Sequence, residues 1–175
     1  MAANIEDEDY FPDFTTVTCY NWERLIERET EKDIIIESLR YLTQKNKVKV
    51  HAFVLMDNHF HMIWRICKGW KRDEIQRDFL KYTSQQILKN FRNEQAAILQ
   101  RIEVNLKDRR YQVWQRNSLS IELRSESVYK QKLDYIHNNP VKAGLCASEE
   151  HYKYSSASYY VLNKNDWDFL TNADV

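Results

Sequence analysis

Two apolar runs separated by a short polar pair lie near the centre of this chain. Residues 48–56 and 60–64 flank an Asp-Asn pair, which tolerates a tight turn, so the pattern predicts a β-hairpin. Side chains alternate across a strand, and His59 and His61 therefore share one face of the returning strand. Two neighbouring imidazoles on one face indicate a candidate metal site, although His-x-His also occurs in strands without any ligand role.

The periodicity of the remaining chain predicts alternating strands and helices. A helix capped by Ser125 or Ser127 is expected to end near Pro140, because a residue before proline disfavours the α conformation. Thr30 and Asp33 resemble a capping box for an earlier helix. The other predicted elements are a strand within 14–22, helices over 30–45 and 72–91, further helical turns within 96–108, and a last strand within 111–123.

This order of elements predicts an α+β fold, a ferredoxin-like sandwich whose antiparallel sheet carries helices on one face. We expect one domain over residues 14–160, between a flexible acidic lead-in at 1–13 and a tail at 161–175. The chain of 175 residues has no apolar run of about 18 residues and no secretory signal pattern, which predicts a cytoplasmic protein without a membrane partner.

Composition excludes several classes of site. The three cysteines are far apart and form no Cys-x-x-Cys pair, so neither a disulfide framework nor a zinc finger is indicated. Only two glycines are present, which excludes the glycine-rich loops that bind nucleotide phosphates.

Charge is unevenly distributed, although the formal net charge is zero. Residues 65–132 carry 16 Lys and Arg against 8 Asp and Glu, whereas both flanking segments are acidic. Such a basic middle is expected of a chain with one anion-binding surface. A pair of well-solvated helices would give the same count, so the charge pattern alone leaves both interpretations open.

A third informative stretch, QKLDYIHNNPVKAG, covers residues 131–144. Together with His-Phe-His after a Leu-Met-Asp-Asn turn, it resembles the REP-associated tyrosine transposases. These belong to the single-tyrosine HUH endonucleases, in which U is a hydrophobic residue, here Phe60. The segments QVWQ at 112–115 and YSS at 154–156 also resemble that family, so the similarity spans about residues 14–160.

The resemblance implies a ferredoxin-like catalytic domain with a tyrosine-bearing C-terminal helix. It implies an enzyme that cuts and rejoins single-stranded DNA next to hairpins through a 5′-phosphotyrosine, with Mg²⁺ or Mn²⁺ as cofactor. By position, His59 and His61 match the metal ligands, Tyr135 matches the nucleophile, and Asn139 matches a third polar ligand. Residues four apart share a helical face, so Tyr135 and Asn139 are expected to point toward the same site.

The resemblance also implies a partner, single-stranded or hairpin DNA, bound by a monomer or a homodimer. We expect basic residues of segment 65–132 to bind the phosphates of the hairpin. The predicted DNA-binding residues are Lys71, Arg72, Arg77, Lys81, Arg109, Arg110 and Arg116.

Two other functions fit the residues. One is a non-catalytic module that binds hairpins and derives from such a transposase. The other is a small metalloprotein with structural Zn²⁺, because imidazole suits zinc better than magnesium. The zinc hypothesis lacks a four-ligand set, since no cysteine is near the histidines.

Several neighbours of the motifs receive secondary roles. Among the tryptophans, only Trp70 is expected to be free to stack on unpaired bases, while Trp64 and Trp114 are assigned to the core. Asp57 is expected to interact with a ligand histidine or with the water shell of the metal. His137, like His51, is assigned a structural or supporting role.

Overall fold

The computed structural model describes residues 10–173, so parts of the predicted lead-in (1–9) and tail (174–175) lie outside the described range. The elements follow in chain order. They are β1 (Asp13–Thr18), α1 (Glu29–Gln44), β2 (Val48–Leu55), β3 (His59–Ile66), α2 (Arg72–Glu94), α3 (Ala96–Arg101), β4 (Glu103–Leu106), β5 (Arg109–Tyr111), β6 (Leu119–Glu122), α4 (Glu126–Lys142) and α5 (Ala157–Leu162). Single 3₁₀ turns occupy Tyr20–Trp22 and Glu149–His151.

Four of these strands form an antiparallel sheet in the order β2-β3-β1-β6, while β4 and β5 form a separate hairpin. The strands of the larger sheet follow the order of a ferredoxin-like fold, with the first and third strands at its centre. The predicted α+β sandwich and the predicted β2-β3 hairpin are therefore confirmed. Because β3 pairs on both sides, the strand that carries His59 and His61 has no free edge.

A β-bulge in β2 places its apolar residues in two layers. The register with β3 shifts between Val50 and Ala52, at His51. Since a bulge inserts one extra residue, Val50 and Phe53 reach the same layer although they are three residues apart. Ala52 and Val54 consequently face the other layer. The bulge lets one continuous apolar run contribute to both sides of the sheet.

The larger layer lies between the sheet and α1 with α2. Its strand residues include Phe60, Met62 and Trp64 of β3, all fully buried. The helices contribute apolar residues at helical spacing, among them Ile35, Leu39, Phe79 and Ile87. Trp64 and Trp114 belong to this layer, as predicted from the sequence.

The smaller layer lies on the opposite face, where α4 packs against the sheet. Ile136, Tyr129 and Leu133 of α4 contact a patch that includes Phe14 and Ile63. Ser125 caps the helix by accepting a hydrogen bond from the Val128 amide, as one of the two predicted caps. The prediction that the helices lie on one face of the sheet holds for α1 and α2 only. The tyrosine-bearing helix α4 packs on the other face, because its own apolar residues cover Phe14 and Ile63.

Two local predictions, on the end of α4 and the cap of α1, were wrong, and a third was confirmed. Helix α4 does not end at Pro140 but continues to Lys142, because Pro140 is buried and the Ala143 amide still bonds to the Asn139 carbonyl. Arg28 occupies the N-cap position of α1, and its side chain makes no capping hydrogen bond. Thr30, the predicted cap, lies inside that helix. The further helical turns predicted within 96–108 are confirmed by α3, after which the chain turns into β4.

The C-terminal segment packs along the outer edge of β2. Leu170 forms a parallel bridge with Val50, and the Thr171 amide bonds to the Val50 carbonyl 3.0 Å away. Phe169 and Leu170 are buried in the larger layer. This contact covers a sheet edge that would otherwise expose unpaired backbone groups. Over residues 10–173, no helix has both the length and the apolar character required to cross a membrane.

The buried His137 predicts how stability depends on pH. Its Nε2 lies 2.8 Å from the Ser156 hydroxyl, and burial lowers the pKa of His137 to about 4. Below an unfolded-state pKa near 6.5 the unfolded chain binds the proton first. We therefore expect the unfolding free energy to fall between about pH 6.5 and pH 4, with this residue contributing up to about 3 kcal/mol.

Chemical denaturation at several pH values measures this effect. His137→Gln retains a group that can bond to Ser156 but cannot titrate, so its unfolding free energy should depend less on pH over that window. Equal pH dependence in the variant and the wild type would contradict the assignment.

Candidate active site

The two histidines of β3 form the centre of the candidate site. His59 and His61 project from the same face of the strand, with ring centroids 4.9 Å apart. His61 is only 4% exposed, whereas His59 is half-buried. The predicted juxtaposition of the imidazoles is thus present, on the face of the sheet that α4 partly covers.

A hydrogen bond orients each imidazole. The Asn58 side-chain carbonyl lies 2.7 Å from His59 Nδ1 and can only accept, so Nδ1 donates its proton and Nε2 keeps its lone pair. The Thr16 hydroxyl lies 2.8 Å from His61 Nδ1. His61 Nε2 is buried and has no hydrogen-bond partner among the described residues. A buried nitrogen of this kind is suited to a metal ion.

Electrostatics keep both rings neutral. Burial lowers the pKa of His61 to about 3, with further repulsion from His59 and Lys132. Burial also lowers the pKa of His59, against an opposing hydrogen bond with Asn139. Neutral imidazole is the form that binds metals, so the site has available lone pairs at physiological pH.

Tyr135 of α4 stands beside the histidine pair. Its ring centroid lies 5.1 Å from that of His61, and the ring is 42% exposed. The ammonium groups of Lys132 and Lys142 lie 5.7 and 6.0 Å from the centre of the tyrosine ring. A phenol that is open to solvent, close to neutral imidazoles and flanked by two cations can approach an anionic substrate.

Asn139 reaches the same site from the next turn of α4. It hydrogen bonds to His59, and it lies in regular helix because α4 continues through Pro140. Tyr135 and Asn139 are thus on one helical face, as predicted. Within residues 10–173, no cluster of three or more His, Cys, Asp and Glu side chains is arranged to hold a metal.

The predicted DNA-binding residues fall into two groups. Four of them line a shallow groove of about 530 Å³ between α2 and the segment 108–118, namely Arg77, Lys81, Arg109 and Arg116. The Gln115 amide of this lining bonds to the Thr18 carbonyl, and Thr18 pairs with His59, so β1 connects the two regions through its backbone. The helix α2 that borders the groove packs on the face of the sheet opposite α4.

The other three basic residues lie outside this groove lining. Arg72 forms ion pairs with Asp13 at 2.7 Å and with Glu122 at 3.8 Å. Burial raises the pKa of Asp13 to about 6, although Arg72 opposes that shift. Arg110 pairs with Glu103, and Lys71 with Glu74. Arg72 therefore compensates a buried carboxyl group within the protein.

Comparison with known proteins identifies the fold. No family model matches the chain. A curated Haemophilus influenzae protein, described as uncharacterized, is 29% identical over 154 residues, which cover 79% of this chain and 83% of that protein. A REP-associated tyrosine transposase, solved with a bound REP hairpin, superposes with a TM-score of 0.63 at 19% identity, over 96% of this chain and 88% of that chain. This chain has the fold of a REP-associated tyrosine transposase.

One aromatic residue of this transposase fold was missed in the sequence. Trp22 is 64% exposed, and its ring centroid lies 6.0 Å from that of His59. Its backbone is left-handed, with φ of 58°, which costs on the order of 1–3 kcal/mol for a bulky side chain. By contrast Trp70, which we expected to be free, is 38% exposed, and the Lys47 ammonium lies 4.3 Å from its ring centre.

Asp57 does not take the role predicted for it beside the metal site. Its carboxylate accepts hydrogen bonds from Lys32 at 2.8 Å and from Arg24 at 2.6 Å. Burial acts to raise the pKa of Asp57, but these two bonds outweigh it and the pKa is lowered overall. Since Lys32 is buried, the carboxylate neutralises a cation beneath the β2-β3 turn of the transposase fold.

We expect Asp57→Asn to lower the unfolding free energy by roughly 2 kcal/mol, because the substitution leaves the buried Lys32 ammonium without its anion. The loss is smaller than for a fully buried pair, since Asp57 is partly exposed. Denaturant unfolding measures the loss. Glu27→Gln is the matched control, as it removes the other carboxylate of Arg24 at an exposed position and should change stability by less than about 1 kcal/mol. Equal losses in both variants would contradict a structural role for Asp57.

Proposed function

We propose that this chain is a metal-dependent single-strand DNA endonuclease and strand transferase that acts next to hairpins through a 5′-phosphotyrosine intermediate. The observation that supports this proposal best is the convergence of Tyr135 with His59 and His61 on one face of the sheet. The fold is shared with a transposase that was solved bound to a REP hairpin, which supports DNA as the partner.

The residues of the site suit a divalent cation, Mg²⁺ or Mn²⁺. The unpartnered His61 Nε2, the His59 imidazole and the Asn139 amide would hold it. When bound, the cation would offset negative charge on a nonbridging phosphate oxygen and orient the scissile bond. This contribution matters because attack on a phosphodiester adds charge to a centre that is already anionic.

Tyr135 supplies the nucleophile. Its phenolic oxygen forms a bond to phosphorus while the bond from phosphorus to the 3′ oxygen breaks, and the proton lost by the phenol is balanced by the proton gained by the leaving 3′-hydroxyl. Holding the phenol on α4 beside the phosphate site makes the attack effectively intramolecular. The Lys132 and Lys142 ammonium groups flank the ring and favour the approach of the anionic phosphate.

The reverse of this step joins strands. A 3′-hydroxyl from another strand attacks the phosphotyrosine, the phosphodiester re-forms and Tyr135 is released. One phosphoester bond replaces another in each direction, so no external energy source is required. The scarcity of glycine, which precludes a nucleotide phosphate loop, agrees with this chemistry.

The basic groove offers a second surface that would bind phosphates of the DNA. Arg77, Lys81, Arg109 and Arg116 line it. Phosphates bound there would position the strand without reading its sequence. Arg72 is left out of this set because it neutralises the buried Asp13.

A covalent adduct between protein and DNA would test the chemistry. We expect the wild type, incubated with a single-stranded hairpin oligonucleotide and Mn²⁺, to form a denaturation-resistant adduct, and Tyr135→Phe to form none, since it lacks the nucleophilic oxygen. Denaturing electrophoresis of a labelled oligonucleotide measures the adduct.

Tyr129→Phe is the matched control, because Tyr129 is a buried tyrosine on the same helix and packs in the smaller layer. It should retain adduct formation. His61→Ala, or chelation of the divalent ion, should abolish the adduct without unfolding the protein. Hairpin binding with no adduct under any divalent ion would overturn the catalytic proposal in favour of the non-catalytic module.

The groove should determine how binding responds to salt. Each phosphate contact that is lost reduces the slope of log K against log salt by roughly 0.7–0.9. We expect Lys81→Gln combined with Arg116→Gln to reduce the slope by about 1 to 2. The control is Lys45→Gln with Lys47→Gln, which removes equal charge beyond the groove lining. Fluorescence anisotropy over a salt series measures both, and equal slopes would contradict a specific role for the groove.

A further inference from the structure

We propose that Trp22 is a stacking platform for an unpaired base of the substrate strand, next to the phosphate bound at His59 and His61. This inference rests on the proposed function and assigns a binding role to a residue outside the motifs. It concerns recognition of the strand rather than the bond-breaking step.

The position of Trp22 is the first argument. Its indole lies edge-on to His59, with ring centroids 6.0 Å apart and an interplanar angle of 68°. The side chain is 64% exposed, the largest exposure among the large hydrophobic side chains of residues 10–173. An indole left open to water beside a phosphate site is within reach of the base attached to that phosphate, and base stacking on aromatic rings is a general mode of single-strand binding.

The backbone gives a second, independent argument. Asn21 and Trp22 are both left-handed, with φ of 51° and 58°. This conformation is unfavourable for a bulky residue and is found mainly at functional sites. The Cys19 carbonyl accepts the Trp22 amide at 3.0 Å, and the Asn58 side-chain amide donates to the Trp22 carbonyl at 3.4 Å. These hydrogen bonds hold the turn in a backbone conformation that is unfavourable for its residues, and the indole is exposed to solvent.

The groove beside the indole favours a base over a phosphate. This groove, about 560 Å³ in volume, is lined by Trp22, by polar side chains and by the apolar Leu25, Phe91 and Ile98. Its lining holds three arginines (Arg24, Arg28 and Arg101) against three glutamates (Glu23, Glu27 and Glu31), whereas the basic groove between α2 and segment 108–118 holds four cations against one carboxylate. Paired charges offer donors and acceptors with little net charge, which suits the polar edge of a nucleobase.

The test uses a DNA hairpin oligonucleotide with an unpaired 5′ flank and a series of copies, each carrying one abasic position in that flank. Equilibrium binding is measured at constant salt for the wild type, Trp22→Ala, Trp22→Phe and Trp70→Ala. The last variant is the matched control, since Trp70 is an exposed tryptophan beyond the opposite end of β3. Unfolding curves establish that each variant is folded.

We expect Trp22→Ala to weaken binding by about 10-fold or more, while Trp22→Phe retains most of the affinity and Trp70→Ala leaves it unchanged. One abasic position should weaken the wild type by a similar factor and have no further effect on Trp22→Ala, because the two changes remove the same contact. Equal affinity of wild type and Trp22→Ala, or additive losses at every abasic position, would overturn the proposal.

The outcome for Trp22 is separate from that for Tyr135. A Tyr135-dependent adduct with no effect of Trp22→Ala would overturn the stacking proposal and leave the nuclease intact. A position-specific effect of Trp22→Ala without any adduct would support the base platform and overturn the catalytic step. If Trp22→Ala weakens binding by the same factor whether or not the flank carries its bases, Trp22 makes a different contact and the stacking proposal is overturned.

Discussion

The alternation of side chains along β3 is the constraint on which the site depends. Phe60, Met62 and Trp64 are fully buried in the layer beneath α1 and α2, so His59 and His61 must project from the opposite face. A slip of one residue would bury both imidazoles among the apolar side chains of the larger layer and move Phe60, Met62 and Trp64 to the face that α4 partly covers. Pairing of β3 with β1 and β2 on both edges adds a second restraint on the same register. The core therefore fixes the geometry of the histidine pair.

A single amide links this pair to the left-handed turn that carries Trp22. The carbonyl of Asn58 accepts from His59 Nδ1, and its NH₂ group donates to the Trp22 backbone. The first bond sets the tautomer in which His59 Nε2 carries the lone pair, and the second holds the indole beside the same ring. The backbone of Asn58 also accepts the Cys19 amide at 2.8 Å. Asn58 thus orients both the His59 imidazole and the neighbouring surface that carries Trp22.

The sequence was sufficient to predict the features that follow from periodicity. Alternation placed His59 and His61 together, and a four-residue spacing placed Tyr135 and Asn139 on one helical face; the structure agrees with both. Features that depend on distant partners were not predictable. Asp57 turned away from the histidines because Lys32, 25 residues earlier, is buried beneath it. The exposure of Trp22 follows from a backbone conformation that local composition does not specify.

Charge pairing explains how a chain of zero net charge can present a basic groove, to which we assign DNA phosphates in the proposed function. Arg77 pairs with the adjacent Asp78 and Arg109 with the adjacent Asp108, and all four side chains are exposed. Exposed pairs contribute little stability, so a phosphate can replace either carboxylate at small cost. The partner of Arg72 is buried, and a phosphate that replaced it would leave Asp13 uncompensated in the protein interior. Burial of the acidic partner, rather than the number of basic residues along the sequence, therefore decides which cations are available to DNA.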